Sequence, residues 1–273
     1  MAESREALAR RARRIDAELR ATFPYAHCEL DFVNAWQLLV ATVLSAQTTD
    51  LRVNQATPAL FATFPRPADL AGAAPVDVEP LVRSTGFYRA KARSITKLAA
   101  AVVADYGGAV PVTVAELVRL PGVGRKTAFM VTDNACADSA SRAGDPAHPA
   151  QVHTPFPETG LIVDTHFARL AKRWAWAAAD KPDDIESEVA GLFPKPDEWT
   201  GLSHRIIFHG RRICHSRKPA CGACPVAELC PSYGEGETDP EKARKLLKYE
   251  LAGEPGQRLR PPPDFPGSPA KPQ

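Results

Sequence analysis

Apolar residues recur along this chain at helical spacing, and no run alternates as a strand would. Leu8, Ala12, Ile15 and Leu19 mark one face of an N-terminal helix. Ala35 to Ala46 is apolar almost throughout, the pattern of a helix buried on all sides. Arg89 to Tyr106 is amphipathic and closes at Gly107-Gly108, residues suited to a helix end. Val114 to Leu120 reads as a short helix. Lys126 to Ala137 reads as a longer one, apolar on one side through Ala128, Phe129, Val131 and Ala135. After Asp164, the residues Phe167, Leu170, Ala171 and Trp174 again share a face. The predicted fold class is all-α.

Two stretches break this pattern. Residues 138–160 hold Pro146, Pro149, Pro155 and Pro157 with no apolar period, and they exceed the ~12 to 15 residues beyond which loops are uncommon in compact domains. They read as an irregular loop, disordered by default, with a DNA or partner contact as the lesser option. Beyond Tyr233, Asp239 to Leu251 reads as a charged helix, and the proline-rich tail after Ala252 as disordered.

With 273 residues the chain can form two domains and a real core. Its formal net charge of +2 excludes a basic footprint spread over a whole domain, so any polyanion must be met by local patches. One such patch runs from Ser203 to Lys218, where Arg205, Arg211, Arg212, Arg217 and Lys218 occur with no acidic residue. For Arg211 and Arg212 a solvated helix end is an equally good reading. The N-terminal helix carries many arginines, but Asp16 and Glu18 argue against a targeting peptide and favour a solvated face. No apolar signal segment opens the chain, and the expectation is a cytoplasmic protein without a membrane span.

The segment richest in chemistry is Leu120-Pro-Gly-Val-Gly-Arg-Lys-Thr-Ala128. Gly122 and Gly124 can take positive φ, which lets the backbone turn tightly and aim its N–H groups at an anion such as phosphate. The predicted local structure is helix, hairpin, helix, with Arg125 and Lys126 at the mouth of the second helix. A nucleotide-binding phosphate loop fails here, because that motif needs Gly and Lys adjacent and a longer glycine loop. A plain interhelix turn would explain one glycine but not two beside two cations.

Cys214, Cys221, Cys224 and Cys230 are separated by six, two and five residues. Structural zinc sites usually show two tight pairs, or a Cys pair with a His pair, whereas this spacing has one close pair and fits zinc poorly. An iron–sulfur cube suits the spacing better, with disulfides as the bland alternative in an oxidising compartment. Cys28 and Cys136 have no partner spacing, and Cys136 reads as a small buried residue.

Taken together, these landmarks resemble the endonuclease III family of the helix-hairpin-helix DNA glycosylase superfamily. The resemblance runs from about Leu30 to Tyr233 through Leu44-Ser-Ala-Gln47, Thr85-Gly-Phe-Tyr88, the hairpin with Lys126, Val163-Asp-Thr-His166 and the cysteine loop. It implies an all-helical protein of two domains with a DNA-binding cleft between them, a 4Fe-4S cluster on the four cysteines, and excision of damaged bases. The implied organisation is an N-terminal helix, 1–27, packed on the cluster domain; a helical domain with the hairpin, 28–137; the insertion, 138–160; the cluster domain, 161–233; and a tail, 234–273.

The resemblance also assigns roles. Lys126 becomes the amine that attacks the sugar C1′ of a bifunctional glycosylase and abasic-site lyase. Asp164, by default an N-cap, becomes the carboxylate that stabilises positive charge on the sugar. Gln47 and Phe87 become the polar filler and the apolar wedge for the gap left by an extruded base, with Phe87 where relatives carry Leu. Without the resemblance Phe87 reads as a core plug. Apart from the resemblance, Gly122, Gly124 and Arg125 of the hairpin read as a phosphate site, and Arg217 and Lys218, held inside the first cysteine loop, as contacts to a phosphate strand.

A free lysine titrates near ~10.4, so an amine nucleophile at neutral pH calls for a shift of about three units, or ~4 kcal/mol. The first helical turn and the neighbouring Arg125 both disfavour an ammonium at position 126, and burial against the apolar helix is expected to add desolvation. The substrate class is oxidised or ring-saturated pyrimidines in double-stranded damaged DNA, and the protein is expected to act as a monomer. Two alternatives remain: an adenine glycosylase of the same superfamily, against which Lys126 counts, and a non-catalytic iron–sulfur DNA-binding or redox protein, which gives Lys126 and Asp164 no role.

Overall fold

The structure, a computed structural model, describes residues 3–141 and 160–248. Every regular element among the described residues is helical. In chain order these are α1 Arg5–Thr22, α2 Ala35–Leu44, α3 Asp50–Thr63, α4 Pro67–Ala71, α5 Pro75–Val82, α6 Tyr88–Tyr106, α7 Val114–Leu117 and α8 Arg125–Ser141. They are followed by α9 Thr165–Arg173, α10 Pro182–Ala190, α11 Trp199–Arg212 and α12 Pro240–Arg244. The burial read for the Cys136 side chain, the 138–160 stretch beyond Ser141 and the tail beyond Lys248 lie outside what is described.

The chain divides into two compact units, one formed from Cys28 through α8 and the other from the N-terminal segment to His27 together with the chain from Gly160 onward. In the first unit α2 packs against α3, α6 and α8, which explains its unbroken apolar sequence: Trp36, Leu38, Leu39, Val40, Ala41 and Leu44 are all buried. Asn34 starts this helix by accepting a hydrogen bond from Gln37 N at 2.9 Å. At the end of α6, Gly107 takes φ 60° and Gly108 donates to Val102 O at 3.0 Å, a bond that caps the orphaned carbonyls of the last turn. α7 stops at Leu117, earlier than the apolar pattern predicts, because Val118 to Leu120 are drawn into turns that lead to the hairpin.

In the second unit α1 packs on α11, and α11 on α9. Ala12, Ile15 and Leu19 of α1 are fully buried, with Leu8 packed at the edge of the same core. Gly210 sets the approach of α9 to α11, since a Cβ there would lie 2.8 Å from the Cβ of His166. Asp16 and Arg11 correct the reading of α1 as a merely solvated charged face. Asp16 is buried and accepts from Arg205 Nε at 2.9 Å, while Arg11 Nη1 donates to Trp174 O at 2.8 Å. Of the charged helix read over Asp239 to Leu251, the described residues form the short α12, whose Ala243 is fully buried.

Candidate active site and cluster site

The hairpin is built from its apolar ends inward. Thr113 caps α7 by accepting from Glu116 N at 3.2 Å, and Leu120 and Val123 are buried on either side of the turn. Gly122 has φ 77°, with open space where a Cβ would stand, so it is the left-handed conformation that calls for glycine. Gly124 departs from expectation: it lies outside the positive-φ region, and its carbonyl accepts from Ala128 N at 2.9 Å to open α8.

Arg125 and Lys126 are the first two residues of α8, where N–H groups have no intrahelical partner and the dipole is positive. Arg125 also lies against an aromatic face, its Cζ 5.1 Å from the Phe129 ring centroid. Lys126 is exposed, which corrects the expectation of burial against the helix. The cause is helical phase: Ala128, Phe129 and Val131 turn inward, and Lys126 stands about 200° around the axis from Ala128.

Asp164 follows the buried segment Leu161 to Val163, which Ser203 Oγ fixes by accepting from Ile162 N at 3.0 Å. Asp164 is half-buried and caps α9, its Oδ1 accepting from Phe167 N at 2.7 Å. His166 sits in the first turn of α9 with Nδ1 3.2 Å from Arg169 Nη2. Burial holds its imidazole below the ordinary histidine range, with Asp164 acting against that and Arg211 and Arg169 with it.

The same helix carries two residues the sequence reading missed. Arg169 Nη2 donates to Gly210 O at 3.0 Å and to Cys214 O at 2.9 Å. Arg173 Nη1 donates to His215 O at 2.7 Å and lies 3.1 Å from Cys214 Sγ. Their separation by four positions on one helix face was the available signal.

Cys214, Cys221, Cys224 and Cys230 line a single cavity together with Trp174, His209 and Ile213. All four thiols are free. Four cysteine thiols around one cavity are the donor set that a 4Fe-4S cluster takes, and these four residues would hold it. Burial pushes the Cys214, Cys224 and Cys230 thiols up, and the Arg173 guanidinium opposes this at Cys214. Thiols held protonated by burial ligate only as the metal displaces their protons. His209 beside them is pushed down by burial to about 3 and is therefore neutral, with Nε2 3.6 Å from Cys224 Sγ.

The remaining candidates divide sharply. Gln47 and Phe87 are both exposed and both left-handed, at φ 55° and 46°. Phe87, at 69% exposure, is no core plug. Arg217 and Lys218 are exposed in the first cysteine loop. Arg205 and Arg212 do not belong to a surface patch. Arg205 is buried against Asp16, and Arg212 is buried with its Cζ 3.7 Å from the Phe208 ring centroid. Of the two residues read as a solvated helix end, Arg212 is therefore not one, and Arg211 is half-buried.

A family model described as HhH-GPD superfamily base excision DNA repair protein matches residues 40–195, and one described as the iron-sulfur binding domain of endonuclease III matches residues 214–230. Endonuclease III of a Synechocystis species is 42% identical over 81% of this chain and 92% of its own length. A solved non-covalent endonuclease III–DNA complex is 37% identical, with a TM-score of 0.70 over 82% of this chain and 95% of that one. A trapped endonuclease III–DNA covalent intermediate, also 37% identical, gives 0.71 over 82% and 96%. The all-helical fold, the cysteine cavity and these matches lead to one conclusion: the chain belongs to the HhH-GPD superfamily and, within it, to the endonuclease III family of base excision repair, 4Fe-4S DNA glycosylases with abasic-site lyase activity.

Proposed function

We propose that this protein removes oxidised or ring-saturated pyrimidines from duplex DNA with Lys126 as nucleophile and Asp164 as its carboxylate partner, acting as a cytoplasmic monomer. The observation that carries the reading is the position of Lys126: an exposed amine in the first turn of α8, directly after a hairpin whose Gly122 is left-handed. Its side chain is open to a substrate. Backbone N–H groups of the hairpin beside it suit a phosphate, which would register the strand.

In this reading the Lys126 Nζ attacks C1′ as the C1′–base bond breaks, and the base departs with the bonding electrons. The Asp164 carboxylate stabilises positive charge as it develops on the sugar. Loss of a proton from the nitrogen and opening of the ring yield a Schiff base, from which removal of a C2′ proton expels the 3′ phosphate. Lys126 is exposed, so in this reading it is the bound DNA that excludes water from around the amine.

Cys214, Cys221, Cys224 and Cys230 would hold the cluster, which supplies the iron–thiolate bonds that close residues 214–230 into a rigid loop. Arg217 and Lys218 then present cations from that loop to a phosphate strand, and Gln47 and Phe87 enter the gap left by the extruded base.

Borohydride reduction on a thymine glycol duplex is expected to trap a covalent enzyme–DNA adduct, and Lys126→Gln to lose it entirely. Undiminished trapping by that variant moves the nucleophile elsewhere. An adenine mismatch opposite oxidised guanine, expected to be left intact, checks the adenine glycosylase alternative.

A further inference from the structure

The wedge reading of Phe87 leaves one physical question open, namely what holds an exposed phenylalanine in a left-handed conformation at the start of a helix. Phe87 has φ 46° and ψ 29°, and no side chain caps α6 from this position. Such a conformation is strained for a residue with a Cβ and persists when the surroundings over-determine it. Gly86 before it, at φ 71°, provides the turn but no rigidity.

The constraint comes from four residues further on. Lys91, in the first turns of α6, is 6% exposed, and its Nζ reaches back to donate to Thr85 O at 2.7 Å. Thr85 is itself 1% exposed and tied on its other side, where its Oγ1 donates to Val82 O at 2.7 Å. The Lys91 backbone N–H also bonds Phe87 O at 3.0 Å. The Lys91 ammonium thus holds the turn before Gly86, and the first backbone bond of the helix holds it after.

The placement is electrostatically unfavourable by itself. Among the described residues Lys91 has no carboxylate partner, its ammonium lies towards the positive end of the helix, and burial lowers its pKa from the usual lysine range. A charged hydrogen bond to a buried carbonyl offsets these costs only as long as the turn stays closed.

We infer that Lys91 is a positioning residue that clamps the Thr85-Gly86-Phe87 turn so that Phe87 meets the DNA as a preformed wedge. The inference rests on the wedge reading of Phe87. Removing the clamp would let the Phe87 ring sample other orientations and so slow base extrusion, while leaving the Lys126 amine untouched.

The test compares Phe87→Ala, Lys91→Met and the double variant in the full chain. Single-turnover excision is read on a thymine glycol duplex, with 2-aminopurine fluorescence opposite the lesion reporting unstacking. Borohydride trapping at a preformed abasic site and a thermal melt serve as controls for the amine and the fold. Each single variant is expected to slow excision roughly tenfold and to lower the fluorescence rise, with the double no slower than the slower single.

If Lys91→Met proves unfolded, Lys91→Gln, with a neutral donor, is read in its place and Lys91→Arg is expected to recover the rate in part. Normal excision and fluorescence in Phe87→Ala would remove the wedge reading and this inference with it. A slowed Phe87→Ala beside an unaffected Lys91 variant, or fully multiplicative losses in the double, would overturn the clamp and leave the wedge standing.

Discussion

At the residue scale, one position joins a capping bond to a proposed catalytic role, and ordinary mutagenesis would confuse the two. Asp164 caps α9 through Oδ1 and is also the proposed carboxylate of the reaction. Asparagine is as good a cap as aspartate but carries no charge. Asp164→Asn is therefore expected to melt within ~0.5 kcal/mol of the parent while losing at least about tenfold in single-turnover excision. Asp164→Ala is expected to lose the same activity and about 1 kcal/mol of stability as well. Equal activity in Asp164→Asn and the parent would confine Asp164 to capping. The contrast with Lys126 is physical: one group is half-buried and bonded to its own helix, the other exposed.

At the element scale, the chain beyond the last cysteine buttresses the cysteine loop. Gly222 N donates to Glu237 O at 2.9 Å and Glu237 N to Pro219 O at 3.0 Å, so the two segments bond in both directions. His215 Nε2 lies 2.9 Å from Leu246 O, and Lys248 N donates to Arg212 O at 2.9 Å. The approach depends on glycine, since a Cβ on Gly222 would sit 2.3 Å from Thr238 O. Gly222→Ala is expected to open this layer and cost about 1 to 3 kcal/mol. Iron and sulfide assays with absorbance in the iron–sulfur charge-transfer region would show the consequence: the parent carries a full cluster, and the variant loses it faster to chelator. Zinc in place of iron in the parent would contradict the cluster site.

At the scale of the whole molecule, a net charge of +2 leaves little room for diffuse attraction to DNA, and burial narrows the basic patch further. Arg205 is committed to Asp16 and Arg212 to Phe208, which leaves Arg217 and Lys218 as the exposed pair of the cysteine loop. Each cation on a phosphate contributes about 0.9 to the slope of log K against log salt. Replacing both with alanine should flatten that slope by about two and weaken binding alike on damaged and undamaged duplexes. Titration of labelled duplexes across a salt series measures both effects, and an unchanged slope would take the pair off the DNA. Among the described residues no helix is long and apolar enough to cross a membrane.

Helix class, the hairpin, the lysine at its mouth and the four-cysteine spacing are all legible in the sequence, because periodicity, glycine punctuation and ligand spacing are local properties of a chain. Asp164 and Phe87 were visible only with the family resemblance, since a capping carboxylate and a loop aromatic look ordinary by themselves. The tertiary structure decided what depends on neighbours remote in sequence. Arg205 meets Asp16 across 189 positions and Arg173 meets Cys214 across 41, and the sequence names neither partner. The exposure of Lys126 and the burial of Lys91 likewise follow from which helix face finds a partner, and that is fixed only when the helices pack.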